Sequence, residues 1–197
     1  ATLTPEQFAD GCGEVVKHAV IADPELFSEL EKTPLTLELL NRDVARVALI
    51  IARNIDIKRA VVVADERETN QRKLLNFGHS AGHAVEACEH FELGHGNCVS
   101  IGMGIITRAA ALHGVCDAEL PARIEELCAR HGLKTRCDLD ADAVFAEALH
   151  DKKRAGDTID LVIPHGIGRC SIDRTPLSTF HDLIAEGLGQ KGDVSAC

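Results

Sequence analysis

Helix-start and helix-stop signals recur along this chain at short intervals, and they limit it to a mainly helical fold. Thr4-Pro5-Glu6-Gln7 combines a capping threonine, a first-turn proline and a glutamine three residues after the cap, predicting a helix to about Ala22. Asp23-Pro24 restarts a short helix through about Lys32. Apolar residues at Val44, Val47, Ala48, Ile51, Ile55 and Val62 keep a helical period, so Leu35 to about Ala64 reads as a long helix with a break near Asn41. Further helices are expected from about Phe77 to Cys88, Val99 to Leu112, Asp117 to His131 (closed by Gly132) and Asp140 to His150. Residues 65–71 read as a polar loop, Glu92 to Gly96 as a turn, and Asp151 to Gly156 as a basic loop. Ile159 to Ile163 and Arg169 to Ile172 flank Pro164-His165-Gly166 as two short strands, and Thr175-Pro176 opens a last helix to about Leu188. The expected architecture is mainly α: one multi-helix domain over residues 1–197 with one small β-hairpin.

Composition agrees and narrows the partners. Hydrophobic residues make up 45% but aromatics only 3%, with no Trp or Tyr, so the core is aliphatic and no base-stacking platform is available. A formal net charge of -10 without any basic run argues against nucleic acid, while leaving room for a small anion held by a few aimed cations. No apolar run approaches the roughly 20 residues that span a bilayer. The eight cysteines form no C-x-x-C pair, and without a signal-peptide pattern they are expected to be reduced, mostly buried thiols of a cytoplasmic protein. No Gly-rich turn joins a strand to a helix, so no dinucleotide site is evident.

The chemistry is concentrated between Arg72 and Gly102. His79 and His83 lie four apart, which puts both rings on one helix face, and His95 follows after a glycine-containing turn. Imidazoles at this spacing converge on a divalent ion, although Ser80 stands where a metalloprotease carries its glutamate. On spacing alone the ligands are His79, His83 and His95, with Glu86 or Glu89 nearby. Glu14 and Lys17 share a face of the first helix; a solvated ion pair is the plain alternative. Lys58 is by spacing an ordinary exposed lysine.

Several motifs occur together and in order: Gly13-Glu14-Val15-Val16-Lys17, Lys58, Asp65-Glu66-x-Glu68, Arg72-x-x-Leu75-Asn76-Phe77-Gly78-His79-Ser80-x-Gly82-His83-Ala84-Val85-Glu86, His95-Gly96, Gly102-Met103 and Asp151-Lys152-Lys153. In these the chain resembles the C-terminal domain of the 3-dehydroquinate synthase family of sugar-phosphate cyclases. The resemblance implies metal ligands Glu14, His79 and His95, with zinc or cobalt as the ion. It makes His83, Lys17 and Asn76 catalytic, and Lys58, Arg72, Asn76, Lys17, His83 and Lys152 contacts to an anionic sugar-phosphate. It implies conversion of 3-deoxy-arabino-heptulosonate 7-phosphate to 3-dehydroquinate and phosphate, a lyase step of the shikimate pathway, with NAD as cofactor and a homodimer as the full-length state.

The expected N-terminal NAD-binding domain is not in this sequence, and the chain alone is expected to be inactive. Asn97-Cys98 departs from the family's H-G-E-A, removing a carboxylate expected to orient the metal site; Cys12-Gly13 replaces Phe-Ala, and Thr69-Asn70-Gln71 a glycine-containing turn. Asn76 and His83 point to the dehydroquinate branch rather than valiolone-type cyclases. An amino-sugar or inosose-forming cyclase is a related alternative. A noncatalytic helical metal-binding or oligomerisation module is the alternative from another class, and it predicts that Lys17, Lys58, Arg72 and Lys152 do not converge.

Overall fold

A computed structural model describes residues 2–66, 71–150 and 156–190. Among them are nine α-helices, one 3-10 helix and one hairpin. Helix α1 (Pro5–Ala22) begins with the capping box read from the sequence, Thr4 and Gln7 exchanging hydrogen bonds. Asp23 caps α2 (Pro24–Lys32) through the Leu26 amide. The expected long helix is divided at Asp43 rather than Asn41. Thr36 caps α3 (Leu37–Arg42), and Asp43 ends it by donating its amide to Leu39. The Asp43 carboxylate then accepts the Arg46 amide and starts α4 (Val44–Ala64).

The 3-10 helix Gln71–Asn76 occupies the end of the expected loop, and α5 (His79–Cys88) starts after Gly78, whose φ of 77° belongs to the left-handed region. Helix α6 (His95–Leu112) begins four residues earlier than the expected Val99. Gly96 suggested a turn, yet it lies inside the helix, where a β-carbon would run into the backbone carbonyl of Asp10 on α1. It is a glycine of close approach rather than of reversal.

Helix α7 (Leu120–Arg130) starts later than expected, after a turn in which the Asp117 backbone carbonyl accepts the Leu120 amide, and α8 (Ala141–His150) follows. Strands β1 (Thr158–Gly166) and β2 (Arg169–Pro176) are longer than expected and antiparallel. Thr175 and Pro176 are strand residues, Pro176 opposite Thr158 at the hairpin's end, so the last helix, α9 (Leu177–Leu188), opens one residue beyond them. Proline is tolerated there because a strand terminus needs no ladder donor from it.

Helix α6 organises the core. It packs against α1, α5, α7 and α9, burying Val99, Ile101, Met103, Ile105 and Ile106. Full burial of each such aliphatic side chain contributes roughly 1.5–3 kcal/mol. Two contacts are at backbone distance. A β-carbon at Gly13 would lie 2.8 Å from the Gly96 Cα, and one at Gly102 would meet the Gly78 carbonyl. These contacts bring the starts of α5 and α6, with their histidines, against the middle of α1.

All seven cysteines among the described residues are free thiols. Burial pushes Cys12, Cys98, Cys128 and Cys170 up to about 12, so they stay protonated and inert. His131 is a core histidine: its Nδ1 faces the Leu127 carbonyl and its Nε2 accepts the Leu35 amide. Among the described residues no helix is long and apolar enough to cross a membrane.

Candidate metal and anion site

His79 is the first residue of α5, His83 stands one turn on, and His95 is the first residue of α6. Between the helices His90 and Phe91 adopt left-handed backbone at φ 52° and 60°, folding the connection back so that α6 starts beside α5. The ring centroids are 5.2 Å apart for His79–His83, 5.3 Å for His79–His95 and 5.6 Å for His83–His95. One nitrogen from each lies within 4.8 Å of the other two, the grouping that spacing alone predicted.

Glu14 approaches from α1, with its Oε1 3.7 Å from His79 Nε2. Two ligand atoms bound tetrahedrally at about 2.0–2.2 Å are separated by about 3.3–3.6 Å, so this pair needs only a small contraction to share an ion. The ring nitrogens are prepared for that. His79 Nδ1 lies 3.2 Å from the Phe77 carbonyl and His95 Nδ1 3.3 Å from Glu86 Oε2, so each ring keeps Nε2 for a ligand role. Burial, reinforced by the Lys17 charge, lowers the His79 pKa to about 4. At neutral pH it is therefore unprotonated and binds metal without releasing a proton. The three histidines, whose donor atoms all lie within 4.8 Å of one another, fit a borderline divalent cation; Glu14 is not in that group. His79 and His95 belong both to the all-histidine set and to the set implied by resemblance; Glu14 reaches His79, while His83 closes the triangle with both histidines.

Lys17 is buried to 2% exposure and bonds both Glu14 oxygens, at 2.9 and 2.7 Å. The plain reading of this pair as solvated is therefore replaced. Burial alone would raise the Glu14 pKa, but the Lys17 charge and hydrogen bonds outweigh it and hold the carboxyl below its ordinary value. Burial lowers the Lys17 pKa, with Glu14 partly restoring it.

Glu14, Lys17, Lys58, Arg72, Asn76 and His79 line one pocket of about 250 Å³. Arg72 and Asn76 arrive on the 3-10 helix, which Lys73 ties to β1 through Asp160 at 2.6 Å. The Arg72 amide bonds Asp65 at 3.1 Å, and its guanidinium bonds the Glu66 carbonyl at 3.1 Å. A second cavity of about 570 Å³ adjoins at Asn76 and His79 and is lined by His83, Glu86, Phe91 and Glu147 among others. Lys152 lies outside the described residues, as do Glu68 and Lys153.

His18 was not anticipated. It is buried, its Nδ1 is 2.9 Å from Asn54 Oδ1, and its Nε2 lies 3.8 Å from Glu14 Oε2, with no hydrogen-bond partner among the described residues. Asn54 is oriented by donating to the Ile50 carbonyl, so its oxygen faces His18 and the proton sits on Nδ1. The signal available in the sequence was only that His18 follows Glu14 by four residues, hence on the same helix face.

The fold defines a helical domain of the dehydroquinate synthase-like class, and the cluster is its candidate metal site. The structure superposes on 2-epi-5-epi-valiolone synthase of Streptomyces hygroscopicus subsp. jinggangensis, solved with NAD+ and Zn2+ bound, with a TM-score of 0.81 at 22% identity. That match covers 97% of this chain and 54% of the synthase. It also superposes on a 2-deoxy-scyllo-inosose synthase complexed with carbaglucose-6-phosphate, NAD+ and Co2+ (TM-score 0.73, 21% identity, 93% of this chain and 52% of that one). The 3-dehydroquinate synthase C-terminal family model matches residues 11–154, and the chain belongs to that family. Curated 3-dehydroquinate synthases from Streptococcus suis and Acetivibrio thermocellus are each 38% identical, across 93% and 98% of this chain. The chain spans about half the length of these relatives, 51% and 52% respectively.

Proposed function

We propose that this chain is the single helical metal- and substrate-binding domain of a 3-dehydroquinate synthase, acting on 3-deoxy-arabino-heptulosonate 7-phosphate. The observation that carries the reading is the meeting of Lys17, Lys58, Arg72 and Asn76 with Glu14 and His79 in one pocket of a protein whose net charge is -10. Cations placed together against that balance suit a substrate bearing both a phosphate and a carboxylate. A noncatalytic module gives no reason for them to converge.

In this reading Glu14, His79 and His95 hold zinc or cobalt, and His83 serves substrate. When bound, the metal polarises the hydroxyl that is oxidised while NAD takes and returns the hydride. The chain's own residues bind and orient. Arg72 and Lys58 neutralise the substrate's anions, joined by Lys152. Lys17, held by Glu14, presents a buried ammonium at the hydroxyl end. Asn76 and His79 stand where the two cavities meet, so Asn76 orients the sugar between its anionic end and the reacting carbon beside His83. Among the described residues the hairpin is the only sheet, and the NAD cradle belongs to a partner domain in this proposal.

The test is phosphate release by the chain joined to an NAD-binding domain, with three substrates compared: the carboxylated heptulosonate, a heptulose phosphate lacking the carboxylate, and a hexose 6-phosphate. The carboxylated substrate is expected to be preferred by at least roughly a hundredfold, the scale of losing one charged pairing. Preference for either uncarboxylated sugar assigns the chain to another cyclase branch.

A further inference from the structure

Helix α6 starts on His95 without any side-chain cap of its own. Its N-cap residue is Gly94, which has no side chain to accept the amides of the first turn. The missing acceptor comes from another helix. Asp10 of α1 places Oδ1 3.0 Å from the Asn97 backbone amide, the third residue of α6 and the donor that a capping aspartate bonds within its own helix. The same oxygen accepts from Asn97 Nδ2 at 3.3 Å. The Asn97 carbonyl oxygen Oδ1 then accepts the Lys134 amide at 3.0 Å, and Ser100 Oγ bonds the Lys134 carbonyl at 2.5 Å. The first turn of α6 is thereby held between α1 and the segment after α7.

Space at this junction is reserved for the carboxylate. A β-carbon at Gly94 would collide with Asp10 Oδ1, and one at Gly96 with the Asp10 carbonyl. Asn97 occupies the position where the family resemblance led to an expected carboxylate. Here the carboxylate is present from the opposite side, on α1, four residues before Glu14.

We infer that Asp10 is a positioning residue for the metal site: it caps α6 from α1 and so fixes His95 relative to Glu14 and His79. This rests on the reading of His95 as a ligand. Asp10 touches neither substrate nor ion in this account. Its acceptor oxygen ties the helix bearing one proposed ligand to the helix bearing another, so losing it frees His95 to shift along α1.

Cobalt(II) is the probe, titrated into the purified chain and followed by its visible absorption, with thermal unfolding recorded for every variant. Asp10→Ala is expected to stay folded, weaken cobalt binding roughly ten- to hundredfold and alter the band shape, the effect typical of removing an outer partner of a metal ligand. Asp10→Asn keeps the acceptor and is expected to bind within about threefold of the parent. His95→Ala is the reference. If His95→Ala weakens cobalt and Asp10→Ala does not, the Asp10 inference is overturned while the ligand reading stands. If His95→Ala binds like the parent, the ligand reading fails and this inference fails with it. Asp10→Asn as weak as Asp10→Ala also overturns it, because charge rather than an acceptor would then be responsible. Should Asp10→Ala not fold, Asp10→Ser, too short to reach the Asn97 amide, is read by the same criteria.

Discussion

The half-buried histidine His79 makes the chain acid-sensitive in a defined window. Its folded pKa of about 4 lies below the ordinary value of 6.5. Between those values the unfolded chain binds a proton that the folded one refuses, so stability falls as pH falls through the window. At roughly 1.4 kcal/mol per unit this amounts to about 3 kcal/mol for the metal-free chain. Thermal unfolding between pH 7.5 and 4 checks it, and His79→Asn should reduce the slope there, leaving the share of His18 and His131, whose burial also lowers their pKa. The ligand assignment has its own test. Glu14→Gln should weaken cobalt binding by at least about tenfold, whereas His83→Ala should leave it within a few-fold; the reverse ranking would favour the three-histidine set. Residue identities of this kind were legible because each carries a characteristic group at a characteristic spacing. His18 and Asp10 were not, since their roles depend on Asn54 and Asn97, which lie 36 and 87 residues away in sequence.

Among the elements, the 3-10 helix that carries Arg72 and Asn76 depends on the hairpin. Lys73 bonds Asp160, which also accepts from Arg174 on β2, and both side chains of the Lys73–Asp160 pair are mostly buried. Lys73→Ala should cost about 1 kcal/mol and speed amide exchange across residues 71–76 before it affects the helical core. In the joined enzyme it should raise KM more than it lowers kcat. The helices themselves were readable from caps and periodicity. The errors fell where one residue type serves two purposes. Gly96 signals a turn but is a packing contact inside α6, and Thr175-Pro176 signals a helix start but ends β2. Pairing and packing partners decide such cases, and neither is a local property of the sequence.

At the scale of the molecule, metal binding and turnover should separate. The histidines and Glu14 lie within this one chain, so it should bind cobalt without help. Turnover requires the hydride acceptor that, in the proposed function, another domain holds. Phosphate release from the heptulosonate should therefore be undetectable with this chain and NAD, and should appear on joining an NAD-binding domain. Release by the chain alone would contradict that division of labour. The mainly helical architecture was evident from aliphatic composition and helix punctuation. The gathering of α1, α5 and α6 around one cluster was reached only through family resemblance, because it is set by backbone contacts between distant glycines.

The approach of Gly13 to Gly96 makes the placement of α1 against α6 depend on two atoms that are missing. A β-carbon at either position would run into the backbone opposite, so replacing Gly96, or restoring at position 13 the alanine expected from the family resemblance, requires α1 and α6 to shift apart. Arg72 and Asn76 line the pocket away from this seam, and under the proposed function they can change without disturbing it. In the proposed function, what the pocket accepts can therefore change more readily than how α1 meets α6.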